Sequence, residues 1–191
     1  MDPEPAAVAD EAALVRRMRD GDAEAFGLLV ERHMRRAYLA ALGLVGSRED
    51  ARDLSQEAFA RAFRARHKLD PDRSFYAWLY QILRRLCFNF RRDRAVRARA
   101  LAGAAWLADA DARSAGVPDP ARELERAELR RRVAAAIEAL PEREREVFVL
   151  KEFEGLKYRE IAELAGIPIG TVMSRLYAAR KRLADALEGD R

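Results

Sequence analysis

Four cations and no acid mark the last candidate helix of the chain. Arg175, Arg180, Lys181 and Arg182 all fall within LKYREIAELAGIPIGTVMSRLYAARKRL at 156–183. Cations of this kind neutralise phosphate, while the first turns of such a helix reach base edges. Gly166 allows a sharp turn between two short helices, and Pro168 and Gly170 bracket the start of the second. Ile161, Ala162 and Leu164 form an inner face on the first helix. Val172, Leu176, Ala179 and Leu183 do the same on the second. Thr171, Met173, Ser174, Arg175, Tyr177, Ala178, Arg180, Lys181 and Arg182 are left facing outward. A basic second helix held rigidly by a first is what a protein needs to place side chains in a DNA major groove. The bland alternative is an amphipathic helix with a solvated basic face. Turn chemistry, inner face and cation placement together favour DNA.

A second constellation spans 68–94, KLDPDRSFYAWLYQILRRLCFNFRRDR, where aromatics and arginines lie beside a loop that begins at Lys68. Unstacked single-stranded bases need both π-surfaces and phosphate partners. Phe75, Leu79 and Ile82 read as core, and Trp78 is divided between core and a strand-facing platform. Arg84, Arg85, Arg91 and Arg92 read as functional. A third group, Asp50, Asp53, Gln56 and Glu57, makes an acidic, polar face on one helix. Part of it is the ordinary preference for acids near a helix N-terminus, and the remainder suits a basic partner. The run Leu140 to Phe148 places Pro141 at a helix start with acids in the first turn, and reads as a supporting helix with a solvated charged face.

The elements that must position these groups are all helical. Leu14, Val15 and Met18 open a first helix after Glu11, and Asp22 is a natural N-cap for a second carrying Phe26, Leu29, Val30, His33 and Met34. Gly46-Ser47 breaks it. Leu54, Ala58, Phe59, Ala62 and Phe63 define a third, and a fourth runs from about Phe75 to Arg94. Residues 1–10 carry Pro, Ala and acid and read as disordered. Residues 98–122, rich in Ala, Gly and Asp with Pro118 and Pro120, read as a flexible linker, with a transient helix around Trp106. Helical signal resumes at Glu123. The expected fold is all-α, in two small domains at 11–97 and 123–191.

Composition narrows the function. Charged residues reach 36% of the 191, and Lys plus Arg exceeds Asp plus Glu by 36 to 32. The charge is segregated: seven arginines fall between 84 and 99 against the single acid Asp93. Such blocks suit a polyanion. Cys87 stands alone and reads as core, so an internal disulfide is excluded and a cysteine-based zinc site is implausible. No metal, no cofactor and no catalytic constellation is expected, nor a small-molecule substrate. No apolar run approaches bilayer length and the start is not a signal peptide, which points to a cytoplasmic protein without membrane insertion.

From Glu11 to Leu187 the chain resembles the extracytoplasmic-function sigma factors of bacterial RNA polymerase. The likeness rests on DAEAFGLLVERH at 22–33, DLSQEAFARAF at 53–63, FYAWLYQI at 75–82 and the stretch from Leu140 to Leu183. It implies two helical domains, regions two and four. By this resemblance Asp53, Gln56 and Glu57, with Asp50 beside them, dock on the polymerase clamp helices. The loop from Lys68 to Ser74 captures a flipped base of the minus-ten element, helped by Arg61, Ala65, Leu69 and the Arg84-Arg85 pair. The minus-thirty-five contacts fall at Met173, Ser174, Tyr177 and Ala178, with Arg175, Arg180 and Lys181 on phosphates. The acidic linker threads the RNA-exit path. Arg85 departs from the Asn, and Ala178 from the Arg, that many members carry there. Core RNA polymerase, promoter DNA and an anti-sigma protein are the implied partners. Two other readings compete: a helix-turn-helix transcriptional regulator that is not a polymerase subunit, and a helical adaptor without DNA contact.

Overall fold

A computed structural model describes residues 11–101 and 120–188. The acidic segment 1–10, most of the expected linker and the helix suggested around Trp106 lie outside the described residues. Every element within them is helical: α1 (Glu11–Arg19), α2 (Ala23–Val45), α3 (Arg48–Arg64), a 3-10 turn (Arg66–Lys68), α4 (Phe75–Leu101), α5 (Pro120–Ala139), α6 (Glu142–Glu152), α7 (Tyr158–Ala165) and α8 (Ile169–Glu188). Two ends differ from expectation. The fourth helix runs past Arg94 to Leu101, because Ala, Arg and Leu favour helix and no breaker precedes Gly103. The fifth begins at Pro120 rather than Glu123, since proline is tolerated at a first helical position.

Helices α1–α4 form the first bundle. Asp22 caps α2 by accepting from the amides of Glu24 (2.9 Å) and Ala25 (3.1 Å). Gly46, at φ 78°, ends that helix in the left-handed conformation, and Ser47 then caps α3. Glu11 ties the bundle together across its sequence. One of its oxygens accepts from the Phe75 amide at the start of α4, and the other lies 3.0 Å from His33 Nε2. Leu14, Met18, Leu29, Phe59, Phe75, Leu79 and Leu83 fill the centre. Cys87 is buried there, as its apolar neighbours suggest, and burial pushes its thiol up to about 12.

Helices α5–α8 form the second bundle around Val147, Leu150, Ile161, Val172 and Leu176. Leu140, Ala136, Ala179 and Leu183 close a smaller cluster, and Phe148 touches both. The apolar cluster does not stop at the bundle boundary. It continues from Leu44 and Leu83 into Val147 and Leu150, where α2 packs on α6. The α6 face expected to be solvated is therefore partly sealed. Arg145 is 2% exposed and Glu146 is 0% exposed. Arg145 donates to the Ile137 (2.8 Å), Glu138 and Leu140 (2.5 Å) carbonyls at the end of α5, and to Leu44 at the end of α2 (3.3 Å). One guanidinium thus closes the carbonyl ends of two helices, one from each bundle. Burial, with Arg91 nearby, pulls it down to about 10, so it remains charged at neutral pH.

Candidate nucleic-acid and polymerase-docking surfaces

The outer face of α8 is built by its own module. Ile161 and Leu164 of α7 pack against Val172 and Leu176, and Gly166 turns the chain between them at φ 67°. The Glu160 carboxylate accepts from the Lys157 amide at 2.6 Å and fixes the start of α7. This leaves Met173 53% and Tyr177 73% exposed, one helical turn apart, with Ser174 exposed between them. Ser174 donates to its own backbone at Thr171 (3.1 Å), while Thr171, Arg175 and Ala178 are half-buried at the edges. Further along, Lys181 is exposed. Arg180 pairs with Glu152 at 2.7 Å and Arg182 with Glu144 at 3.0 Å, so these two cations are braced by acids of α6. The exposed Met173, Ser174 and Tyr177 come first along the helix, and most of its cations follow.

On α3, Asp53 and Gln56 are exposed, while Asp50 and Glu57 are half-buried. Glu57 accepts from Arg61 (2.7 Å) and Arg64 (3.1 Å), and the Arg61 hydrogen bond holds its carboxyl below the usual range. The sequence sends Glu57 and Arg61 to different partners, a protein and a nucleic acid. The structure pairs them with each other.

The loop after the 3-10 turn folds on itself. Asp70 accepts from the Asp72 amide at 3.1 Å, and its carbonyl accepts from the Arg73 amide at 3.0 Å. Leu69 is buried beneath it, Ala65 and Trp78 are half-buried, and Lys68 is exposed. Lys68, Leu69, Asp70, Arg73, Ser74, Ala77, Trp78 and Gln81 line a cavity of about 460 Å³. Its rim also includes Glu163, from α7 of the second bundle.

The four candidate arginines among the seven of α4 separate. Arg85 and Arg92 are exposed, the latter 3.4 Å from Asp93. Arg84 turns into the joint between the bundles and pairs with Glu146 through Nε and Nη2, with its guanidinium over the Phe88 ring. Arg91 donates to the Leu44 (3.1 Å) and Glu138 (3.3 Å) carbonyls. Sequence reasoning missed the groups that hold this joint: Arg36, Tyr76, Tyr80, Glu146 and Glu154. Their signal was weak, because single acids and tyrosines on amphipathic helices look solvated until a partner helix covers them. Among the described residues no three His, Cys, Asp or Glu converge as metal ligands, and no helix is long and apolar enough to cross a membrane.

Comparison with known proteins agrees with this geometry. Residues 29–97 match the family described as sigma-70 region 2, and residues 130–183 match sigma-70, region 4. The chain is 35% identical over 178 residues to the RNA polymerase sigma-H factor of Pseudomonas aeruginosa, covering 92% of each protein. It is 34% identical over 181 residues to the ECF RNA polymerase sigma-E factor of Haemophilus influenzae, covering 93% of this chain and 95% of that one. Among solved structures it resembles CnrH in complex with the cytosolic domain of CnrY, at 28% identity and a TM-score of 0.66, over 95% and 99% of the two chains.

Proposed function

The chain belongs to the sigma-70 family, among its extracytoplasmic-function (ECF) members, and from that membership we propose that it binds core RNA polymerase in the cytoplasm and directs it to a subset of promoters. The observation that carries this reading is the pairing, within one chain, of a polar α3 surface with Asp53 and Gln56 outward and an α8 surface with Met173, Ser174 and Tyr177 outward. A regulator that never joins the polymerase has no use for the first. The match of residues 29–97 to region 2 argues the same way.

Residues 11–97 are then the part that docks and melts, 98–122 the linker, and 123–191 the part that reads duplex. Asp50, Asp53, Gln56 and Glu57 meet the polymerase clamp. The cavity beside Trp78 and Lys68 takes a base turned out of the minus-ten strand, with Arg84, Arg85, Arg91 and Arg92 toward phosphates. Met173, Ser174, Tyr177 and Ala178 read the minus-thirty-five element, with Thr171 at the helix entry and Arg175, Arg180 and Lys181 on the backbone. Strand melting draws on captured bases and no nucleotide hydrolysis, so the protein catalyses no reaction of its own. A second protein that covers these surfaces until a signal arrives is part of the proposal, supported by the relative solved with another protein's cytosolic domain.

Transcription in vitro with core polymerase on a genomic template tests the reading. Discrete start sites that depend on the protein are expected, and their loss with Asp53→Arg and Glu57→Arg together. Starts that are unchanged without the protein refute it.

A further inference from the structure

The first half of α8 carries a set of side chains that does not suit the commonest kind of base recognition. Along 169–178 the exposed residues are Ile169, Gly170, Met173, Ser174 and Tyr177. None of them is Arg, Lys, Asn or Gln, the residues that grip a guanine or an adenine through two hydrogen bonds. Arg175 is half-buried and lies about 200° round the helix from Met173, at about 100° per residue. The first exposed cation is Arg180, and Glu152 of α6 holds it at 2.7 Å.

What this half offers is apolar. Ile169 is 42%, Met173 53% and Tyr177 73% exposed. They stand four residues apart, so they form one stripe about 12 Å long. Val172, Leu176, Ala179 and Leu183 already supply the buried face of the helix, and the stripe takes no part in it. Among the described residues, three of the seven exposed large apolar side chains fall here, which is not the ordinary scatter of single apolar residues over a surface. The one apolar substituent on the base edges of the major groove is the thymine C5-methyl; the other groups there donate or accept hydrogen bonds. Ser174 suits the same base pair. Its hydroxyl donates to the Thr171 carbonyl at 3.1 Å, which leaves its oxygen to accept. Adenine, the partner of thymine, presents an amino donor in that groove.

We propose that α8 selects its element by thymine methyl groups, with Met173 and Tyr177 packed on C5-methyls and Ser174 accepting from the amino group of a paired adenine. Ile169 extends the apolar contact at the helix entry. The inference rests on the reading of α8 as the duplex-reading helix, and it names what that helix selects: A·T pairs rather than guanines. The methyl lies on one base of the pair, so the contact also fixes which strand carries the thymine. Thioether and phenol rings are apt for this, the first because it moulds to irregular apolar surfaces and the second because it is broad and stiff. Attraction to phosphate is left to the cations further along, of which Lys181 is exposed.

Uracil differs from thymine only by that methyl, so the contact can be tested with no change in hydrogen bonding. Holoenzyme formed from the full chain and core polymerase is titrated with duplexes of a mapped promoter. In these, each thymine of the minus-thirty-five element, on either strand, is replaced in turn by uracil. At one or two positions uracil is expected to weaken binding about fourfold, the effect that one buried methyl group carries. With Met173→Ala or Tyr177→Ala, thymine and uracil at the matching position should bind alike. Met173→Leu, which keeps an apolar chain, should still prefer thymine. Circular dichroism checks that the variants fold, and the parent series decides by itself if one does not. Uracil duplexes that all bind as their thymine parent does, while single base-pair changes still weaken binding, overturn the inference and leave α8 as the reading helix. An element made of G·C pairs alone overturns it too. So does a thymine preference that persists undiminished in both alanine variants. If neither uracil nor base-pair changes alter binding, the reading of α8 as the duplex-reading helix falls with it.

Discussion

The outer face of α8 and the arginines of α4 are both suited to DNA, yet they differ in how much is open: Met173, Ser174 and Tyr177 are exposed, while of the four candidate arginines only Arg85 and Arg92 are. Met173, Ser174 and Tyr177 project from a helix fixed by α7 and a left-handed glycine within the same short module. Arg84 and Arg91 are instead spent on a carboxylate and on helix-end carbonyls where the bundles meet. The α8 surface is prepared by local packing, whereas Arg84 and Arg91 are placed by contacts between the bundles. A side chain's type announces its chemistry, while its availability depends on elements far away in sequence.

The largest effect that can break this comparison falls in the local module. Leu176→Ala removes a buried side chain between α7 and α8 and should destabilise the second bundle by about 2–5 kcal/mol. Thermal unfolding reads the loss, and duplex binding should fall with it. Unchanged duplex binding would show that the α8 face is not held by this packing. The joint responds differently. Glu146→Ala strips both Arg84 and Tyr80 of their partner and should cost the docked state about 3 kcal/mol. If the bundles part and rehydrate those groups, their own melting should barely move. Hydrogen exchange should show new exposure at α4 and α6, and none would mean the joint does not depend on this carboxylate.

This division explains what was legible in the sequence. The cap at Asp22, the turn at Gly166 and the inner faces of α3, α7 and α8 are short-range patterns, and the structure has them where the spacing puts them. The exposed positions Met173, Ser174 and Tyr177 follow from the same spacing. Of the charged run Glu142 to Glu146, Glu142 and Arg143 are solvated as the pattern suggests, while Arg145 and Glu146 are covered, because a helical period shows which residues share a face, not what covers it. Glu146 becomes buried only through α4, more than sixty positions earlier. Glycine at position 43 carried a signal that was available: a helix-breaking residue in a helical run marks close approach, here of Val149 on α6.

Acidity should act on the two regions with opposite signs. Burial, outweighing the Glu11 carboxylate, holds His33 below its ordinary 6.5, and Arg32 and Arg36 act in the same direction. A lowered value means the folded bundle binds fewer protons than the unfolded chain. Its contribution is present above pH 6.5 and is lost as pH falls through the folded value. Burial raises Glu154 despite Arg36 and Tyr76, so the docked state takes up a proton more readily and weakens as pH rises through that value. Acidification should therefore soften the first bundle while tightening the joint. Melting of the first bundle at pH 7.5 and pH 5, with His33→Gln as control, reads the first effect, and scattering across the same range reads the second. Parallel shifts would contradict the assignment. A smaller and purely local change is Ser47→Ala, which removes the α3 cap and should cost about 1 kcal/mol, measured by denaturant unfolding, with the joint untouched.

The smallest effect on stability should bring the sharpest effect on choice of DNA. Tyr177 is 73% exposed, so Tyr177→Ala should leave unfolding within about 0.5 kcal/mol of the parent. If its ring meets base edges, the variant should lose discrimination at one or two positions of the minus-thirty-five element and keep its affinity for unrelated duplex, which phosphate contacts supply. Lys181→Ala should do the reverse, weakening all duplexes alike and flattening the dependence on salt. A panel of duplexes with single base-pair changes, titrated at two salt concentrations, separates the two behaviours. If both variants weaken binding uniformly, α8 neutralises phosphate without reading sequence. Its openness in the free chain would then serve attraction to DNA rather than promoter choice.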